Sequence, residues 1–478
     1  MLNIVFSIVY VLLITGTLLV LLFDDSDTGK KLSWMFIIIV LPGFGLILYL
    51  MIGMDFRHHW YFNKKHKKFL DCLEKGRTPE LDNLLFGHKD EEKIVERFRP
   101  LSRMVSHESG MTVSDDNNVE IITEGKRKFD LLMQDLEKAK SYIHLEYFIF
   151  GDDNSSKEIK HMLMKKAKEG VQVRFIHENI ANLTISNKYY NEMKKAGVQV
   201  VKFTNPRKHL LNFVTTLNYR DHRKIVVIDG EIGYTGGMNI GDEYFNIWRD
   251  THLRIEGSAV ADLQFSFLSS WLTAGGSLDG SFSDYFKYTT PDKLKNGELV
   301  QIIPDEPNDT YPTIQMSMEW ACHNAKKYLY FQTPYFVPPE PLLNAMKAAA
   351  LSGIEIILML PQKADATYMD AANKSFFSEC IDAGIRIFER GGEFIHSKTL
   401  VCDDYLSVIG TANMDFRSFN LNYEINTYIF DTKKALLNKQ IFLKDLELSK
   451  EITFAEWEQR GLFQRFKERF MRLFSPLL

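Results

Sequence analysis

Cysteine is scarce. Cys72, Cys322, Cys380 and Cys402 lie scattered through 478 positions with no CxxC pair. That excludes a secreted disulfide framework and a thiolate zinc knuckle, and it points to a reducing compartment. No HxxxH pair occurs, so no helix carries a zinc-type histidine couple. An excess of charge of one sign is also missing. The net charge is −4, which excludes a polyanion binder along the whole chain. No long basic stretch suits a nucleic-acid groove.

Charge is absent altogether from Leu2 to Phe23, and again from Leu32 to Gly53. At 1.5 Å per residue, each run is long enough for a hydrocarbon core of about 30 Å. No basic segment precedes the first run and a second follows at once, which argues against a cleaved signal peptide. Trp34 and Tyr49 sit near the ends of the second run, where interfacial anchors belong. Beyond it, Arg57, Lys64, Lys65, Lys67 and Lys68 come with no acid among residues 57–68. The positive-inside rule places that segment in the cytoplasm, against anionic membrane lipid. The expectation is a transmembrane hairpin over 1–56, a basic juxtamembrane segment and linker helix over 57–108, and a cytoplasmic remainder. That makes a multi-pass protein of the cell membrane.

From Met111 the pattern alternates between β and α. Helices are predicted over 126–140, 157–169 and 189–196, the last two ending at Gly170 and Gly197. Strands are predicted over 142–150, 171–176 and 198–203. The plan repeats, with helices over 313–327, 341–352 and 375–383 and strands over 328–336, 354–360 and 385–389. Such alternation predicts an α/β fold with mixed sheets flanked by helices. Lobe 1 is expected over 109–275, an inter-lobe linker over the Gly-, Ser- and Pro-rich 276–310, and lobe 2 over 311–478. Lobe 1 carries extra residues around Pro206 to Leu217.

One motif organises both lobes. His222-Arg223-Lys224 recurs as His396-Ser397-Lys398, an offset of 174 residues (222 to 396). Asp229 and Asp403, Asn239 and Asn413, and the acids Asp250 and Glu424 keep that offset. Repetition of chemically rare residues at one spacing marks a duplicated unit, here two lobes sharing one site. The β-branched run after each histidine predicts a strand, so His222 and Lys224 share a face, as do His396 and Lys398. Asp229-Gly230 and Asp403-Asp404 read as hairpin turns, which gives the two aspartates a structural place past the strand end. An imidazole, an ammonium and an amide from each lobe make a cationic cavity for a phosphate. One histidine can attack phosphorus while the other protonates a leaving alcohol. Asp250 and Glu424 fit the carboxylate that fixes an imidazole's tautomer. Neither metal nor cofactor is called for.

These residues carry a resemblance. HxKxxxxD followed by GGxN or a close variant, present twice, resembles the phospholipase D superfamily. The segments Asn218–Lys224, Gly236–Tyr244, Trp248–Asp250, Tyr335–Pro338, Gly410–Ser418 and Asn422–Glu424 are similar to those of bacterial cardiolipin synthases, as is the spacing of Pro42, Gly45, Tyr49 and Gly53. The resemblance implies that His222, Lys224, Asp229, His396, Lys398 and Asp403 form the catalytic set. His222 would be the nucleophile and His396 the acid, then the base. Lys224, Lys398, Asn239 and Asn413 would hold phosphate oxygens. Glu424 would support His222, and Asp250 would support His396. The implied reaction joins two phosphatidylglycerols into cardiolipin and glycerol. Two departures stand out: Asp221 where Asn is usual, and Glu178 to Asn182 in place of an Asp-x-x-Gly-Ser loop.

A phospholipase D that hydrolyses lipid to phosphatidic acid is the alternative, since the same residues serve both. The spans argue against a nuclease, and the two intact motifs argue against a membrane scaffold. A homo-oligomer is compatible with the chain. The apolar segment 209–217 suits either acyl chains or the core. The basic amphipathic stretch 456–474 suits lipid, with docking on its own domain the preferred reading. His144 and His177 read as strand residues, and His252, beside Asp250, as the best outside candidate for the site.

Overall fold

The alternating pattern folds into strands and helices close to the predicted positions. The computed structural model describes residues 2–23, 28–49, 67, 69–87, 90–203, 219–286, 294 and 296–475. Most of the basic run 57–68, the extra segment 206–217 and part of the predicted linker lie outside these.

Lobe 1 supplies β1 (Ser114–Ile122), β2 (Tyr142–Tyr147), β3 (Gln172–His177), β4 (Gln199–Lys202), β5 (Arg220–Asp221), β6 (Lys224–Ile228), β7 (Ile232–Gly236) and β8 (His252–Glu256). After it come β9 (Glu298–Asp305), β10 (Tyr328–Gln332), β11 (Phe336–Val337), β12 (Glu355–Pro361), β13 (Arg386–Arg390), β14 (Thr399–Cys402), β15 (Leu406–Gly410), β16 (Met414–Asp415), β17 (Asn422–Phe430) and β18 (Ser449–Glu451). One mixed sheet runs through both lobes. From one edge it reads β4-β3-β2-β6-β7-β8-β1, then β9-β17-β15-β14-β10-β12-β13-β18. The second half mirrors the first, with antiparallel β1 and β9 at the centre.

Side-chain alternation decides the layers. Val226 and Ile228 face one core, while Ile225 and Val227 face another. Helices Gly125–Lys138, Asn154–Lys168 and Asn187–Lys195 cover the first face through Leu132, Ile159 and Met193. Helix Ala259–Thr273, buried almost throughout, covers the second. Lobe 2 repeats this: Leu400 and Cys402 face the helices Thr313–Asn324 and Glu340–Leu351, and Val401 faces Thr432–Leu446.

Several boundaries differ from expectation. The predicted linker 276–310 contains β9, a central strand, because Val300, Ile302 and Ile303 are buried between β17 and β1. Helix Arg99–Ser109, expected to be a linker, packs Leu101 and Val105 into the lobe 2 core. β2 ends at Tyr147 rather than residue 150, as Phe148 and Ile149 leave the sheet to line a cavity. β10 ends at Gln332, and Phe336–Val337 pairs instead with Met414–Asp415.

At the N-terminus, Leu2–Leu22 is one uncharged helix, with its side chains described from Tyr10 onward. The second apolar run is split into Thr28–Val40 and Pro42–Leu48, where proline lacks an N–H. Among the described residues no helix is long and apolar enough to cross a membrane, so the predicted two-span hairpin is not established here. The C-terminal stretch forms two helices, Phe454–Glu458 and Leu462–Arg472. The second helix meets the domain through Arg472, which pairs with Glu379, while Leu462, Phe463 and Phe466 stay exposed.

The motif aspartates lie at the strand ends away from the histidines. Asp229 (φ 54°) and Gly230 (φ 72°) are the central pair of a turn, as are Asp403 (φ 51°) and Asp404 (φ 58°). Positive φ at both positions is what a type I′ hairpin turn demands. Asp229 accepts backbone N–H bonds from Lys140, Ser141 and Tyr142, at 2.7–2.8 Å. Asp403 likewise accepts from Lys326, Lys327 and Tyr328, and from Arg97. Each carboxylate pins the start of β2 or β10 to a hairpin, the structural place that the turn reading gave it. Asn tolerates the same backbone, so Asp229→Asn tests the charge alone. The expected loss is about 1–3 kcal/mol in denaturant unfolding, with turnover of the folded fraction retained. A folded but inactive variant would contradict the structural role.

Candidate active site between the lobes

The two histidines reach one cavity because a symmetric pair of backbone bonds draws the lobes together. His222 N–H donates to Tyr423 C=O at 3.0 Å, and His396 N–H donates to Arg249 C=O at 2.8 Å. Tyr423 and Arg249 are themselves related by the motif offset. β5 adds to the first contact by pairing in parallel with the start of β17.

Each imidazole is held by an acid of the other lobe. His222 Nδ1 lies 2.9 and 3.0 Å from the Glu424 carboxylate oxygens, and His396 Nδ1 lies 2.8 Å from Asp250 Oδ2. Both acids are fully buried. An Nδ1–H donated to a carboxylate leaves Nε2 for the substrate. Gly237 makes room for this, since a Cβ there would sit 2.1 Å from Asp250 Oδ1. In lobe 2 the equivalent Thr411 fits, because its hydroxyl bonds the Ile425 backbone.

The supporting network is less symmetric than the motif. Arg223 donates to Glu424 C=O, Asp305 C=O and the Glu306 carboxylate, fixing β17 beneath His222. Its counterpart is Ser397, and the corresponding work falls to Arg249, which bonds Asp250 C=O, Ser397 and Asp445. Buried Lys128 donates to Met238 C=O at 2.7 Å and so supports the turn that presents Asn239. Asp221 departs from the usual Asn, yet burial and neighbouring Glu146 push its carboxyl well above the ordinary value. A neutral carboxylic acid offers a donor and an acceptor, as an amide does. Glu178, in the other departure, accepts from the N–H groups of Asp221 and Ile180.

The cavity, about 380 Å³, is lined by His222, His396, Asn239 and Asn413. Lys224 and Lys398 lie beneath the histidines, each donating to the backbone carbonyl of its own, at 2.8 and 2.5 Å. Lys398 Nζ is also 2.9 and 3.0 Å from the two ring nitrogens of His396. Aromatic rings flank the imidazoles: Phe148 stands edge-on to His222 at 4.9 Å, and Trp248 lies 5.4 Å from His396. Sequence reasoning gave Phe148, Tyr244, Trp248 and Tyr335 no part in the site. The signal for Tyr244, Trp248 and Tyr335 was their place in the segments that carry the resemblance; Phe148 had none. His252 faces Lys128 and Lys224 but does not line the cavity. His144 bonds Gln264, and His177 stacks on Tyr190.

Burial sets the charge states. It lowers His222 to about 4 and His396 to about 3, with Lys224 and Lys398 adding to the shift and the acids opposing it. Burial, and for Lys224 the charge of Lys398, brings Lys224 to about 7; burial brings Lys398 to about 8. Burial also pushes Asp250 and Glu424 upward, but the adjacent histidines and lysines outweigh it and hold both below ordinary values. The resting site therefore has neutral imidazoles over ionised carboxylates. A bound phosphate anion favours charge on the lysines and on His396.

The duplicated lobe, with two H-x-K histidines sharing a cavity, defines a phospholipase D-like protein. Residues 132–271 and 321–446 match the family described as cardiolipin synthase, PLD-like domain, and 6–53 match a phospholipase D-nuclease N-terminal family. The chain is 35% identical to cardiolipin synthase of Staphylococcus aureus, over 100% of this chain and 97% of that one. It is 36% identical to cardiolipin synthase 2 of Bacillus anthracis (96% and 89% covered) and 35% identical to major cardiolipin synthase ClsA of Bacillus subtilis (100% and 99%). The fold is shared with phosphatidylserine synthase of Haemophilus influenzae, at a TM-score of 0.57 and 15% identity over 75% of this chain and 93% of that one. The chain belongs to the cardiolipin synthase family.

The charge states predict a pH profile. On the alkaline side kcat/KM should fall with rising pH, because His396 must gain a proton to act as the acid, and the fall should steepen through about 7 to 8, where Lys224 and Lys398 lose charge. On the acid side it should fall towards about 4, where His222 takes up a proton. The alkaline limb of kcat should sit higher, because bound phosphate retains the lysine protons. A kcat/KM flat on the alkaline side would remove the lysines from phosphate binding.

Proposed function

We propose that the protein is a phosphatidyltransferase that makes cardiolipin from two phosphatidylglycerols. The observation that supports this best is the pair of imidazoles on one cavity, each tied at Nδ1 to an acid of the opposite lobe. His222 Nε2 attacks the phosphorus of one phosphatidylglycerol, and the P–O bond to glycerol breaks. His396, which takes up a proton as the phosphate anion binds, donates it to the departing alkoxide, giving glycerol and a phosphatidyl-histidine. Neutral His396 then takes the hydroxyl proton of a second phosphatidylglycerol. That oxygen attacks phosphorus, and the P–N bond to His222 breaks. Lys224, Lys398, Asn239 and Asn413 hold the non-bridging oxygens. One phosphodiester replaces another, so no nucleotide is consumed.

The test uses the full chain in phosphatidylglycerol vesicles with chelator and without nucleotide, followed by mass spectrometry of the lipids. Cardiolipin plus glycerol is expected. Phosphatidic acid plus glycerol would make the protein a phospholipase D. His222→Ala should abolish both turnover and covalent labelling. His396→Ala should slow glycerol release by about 10²–10⁴-fold.

The same reading sets the protein on the cell membrane, with the apolar runs 2–23 and 32–53 as a two-span anchor and the catalytic lobes on the cytoplasmic side. The match of 6–53 to a family N-terminal segment supports this. So does helix Leu462–Arg472, whose exposed Phe463 and Phe466 lie among Arg465, Lys467 and Arg469, a pattern suited to anionic lipid. In Phe466→Trp the added fluorescence should be quenched by brominated acyl chains. Emission that stays unquenched would place this face elsewhere than in the bilayer.

A further inference from the structure

A transfer between two phosphatidylglycerols brings two phosphodiester anions into one cavity. The motif residues account for the one that reacts. The second carries the attacking hydroxyl, and its phosphate remains across a three-carbon glycerol bridge. Unless something binds that charge, the acceptor is repelled by the donor and competes poorly with water.

Two arginines outside the paired motif line the same cavity, Arg220 and Arg417. Arg220 stands two residues before His222. β5 pairs with β17 so that Arg220 lies opposite Asn422, just as Asp221 lies opposite Tyr423. Arg220 and His222 both line the cavity, so Arg220 flanks the reacting histidine. Arg417 comes from the short helix Phe416–Asn420, which Asp415 caps by accepting from Ser418 N–H at 2.7 Å. Arg417 is near enough to Arg220 to add to the lowering that burial imposes on it, bringing Arg220 to about 10. Both stay charged at neutral pH. Glu178 lies near Arg220 and Asp415 near Arg417. Arg220 also donates to Tyr219 C=O at 3.0 Å, and a guanidinium's five N–H donors in a fixed fork serve more than one partner at a time. Two guanidiniums lining one cavity with the reacting histidines are suited to a shared anion.

We propose that Arg220 and Arg417 form a second anion subsite, which holds the unreacted phosphate of the acceptor phosphatidylglycerol while His396 activates its hydroxyl. The inference rests on the transfer reading above. It makes the acceptor's phosphate, rather than its alcohol alone, the basis of selection against water.

The test reads how one covalent intermediate is divided. Full-length protein in phosphatidylglycerol vesicles is given butanol, and cardiolipin and phosphatidylbutanol are measured together. Both products arise from the same phosphatidyl-histidine, so their ratio does not depend on donor binding or on the fraction folded. In Arg417→Gln and Arg220→Gln the ratio of cardiolipin to phosphatidylbutanol should fall about tenfold or more, the worth of a charge-assisted contact. Arg417→Lys should recover part of it. An unchanged ratio with a lower total rate would overturn the subsite and assign the arginines to donor binding or folding. If the unaltered protein makes phosphatidylbutanol but no cardiolipin, the transfer reading itself fails.

Discussion

The site depends on one constraint: neither lobe can complete its own histidine. His222 takes its acid from β17 of the second lobe, and His396 takes its acid from the segment before β8 of the first. A buried carboxylate is costly unless charge and hydrogen bonds compensate it. Here each compensates an imidazole and sits near a buried lysine. Separation of the lobes would leave Asp250 and Glu424 without those partners in a dry interior. The continuous sheet across β1 and β9 and the mirrored backbone bonds at His222 and His396 prevent that separation.

The symmetry is functional only where the chemistry needs two of something. Strand order, turns and the acid–histidine contacts repeat. The arrangement around them does not: Arg223 supports lobe 2's acid through its backbone, while Arg249 ties its own neighbour to Ser397 and Asp445. His222 meets Phe148, and His396 meets Trp248 and Tyr244. Two imidazoles with one repeated motif thus sit in unlike surroundings, which suits a nucleophile and a proton carrier.

Much of this was legible along the chain, because the informative signals are local. β-branched runs gave the strands, Asp229-Gly230 gave a hairpin with both central residues at positive φ, and the offset of 174 brought the two halves into register. Other features were hidden for equally physical reasons. β9 sits in a Gly- and Ser-rich surrounding that reads as linker, and only pairing with β17 and β1 on both sides makes it a central strand. Helix 99–109 looks like a connector until Leu101 and Val105 meet the core of a lobe that begins 200 residues later in the chain. The C-terminal helix has an obvious apolar stripe, yet Leu462, Phe463 and Phe466 stay exposed while Arg472 finds Glu379 of the domain.

By itself the sequence determined the duplication and the family to which the chain belongs, because each rests on residue type at fixed spacing. Only the tertiary structure decided that β9 is a central strand, that Arg223 and Arg249 brace the two acids in unlike ways, and that Arg220 and Arg417 share the histidines' cavity. Those facts depend on which distant segments become neighbours and on how far burial shifts a charge. Spacing along a chain records neither.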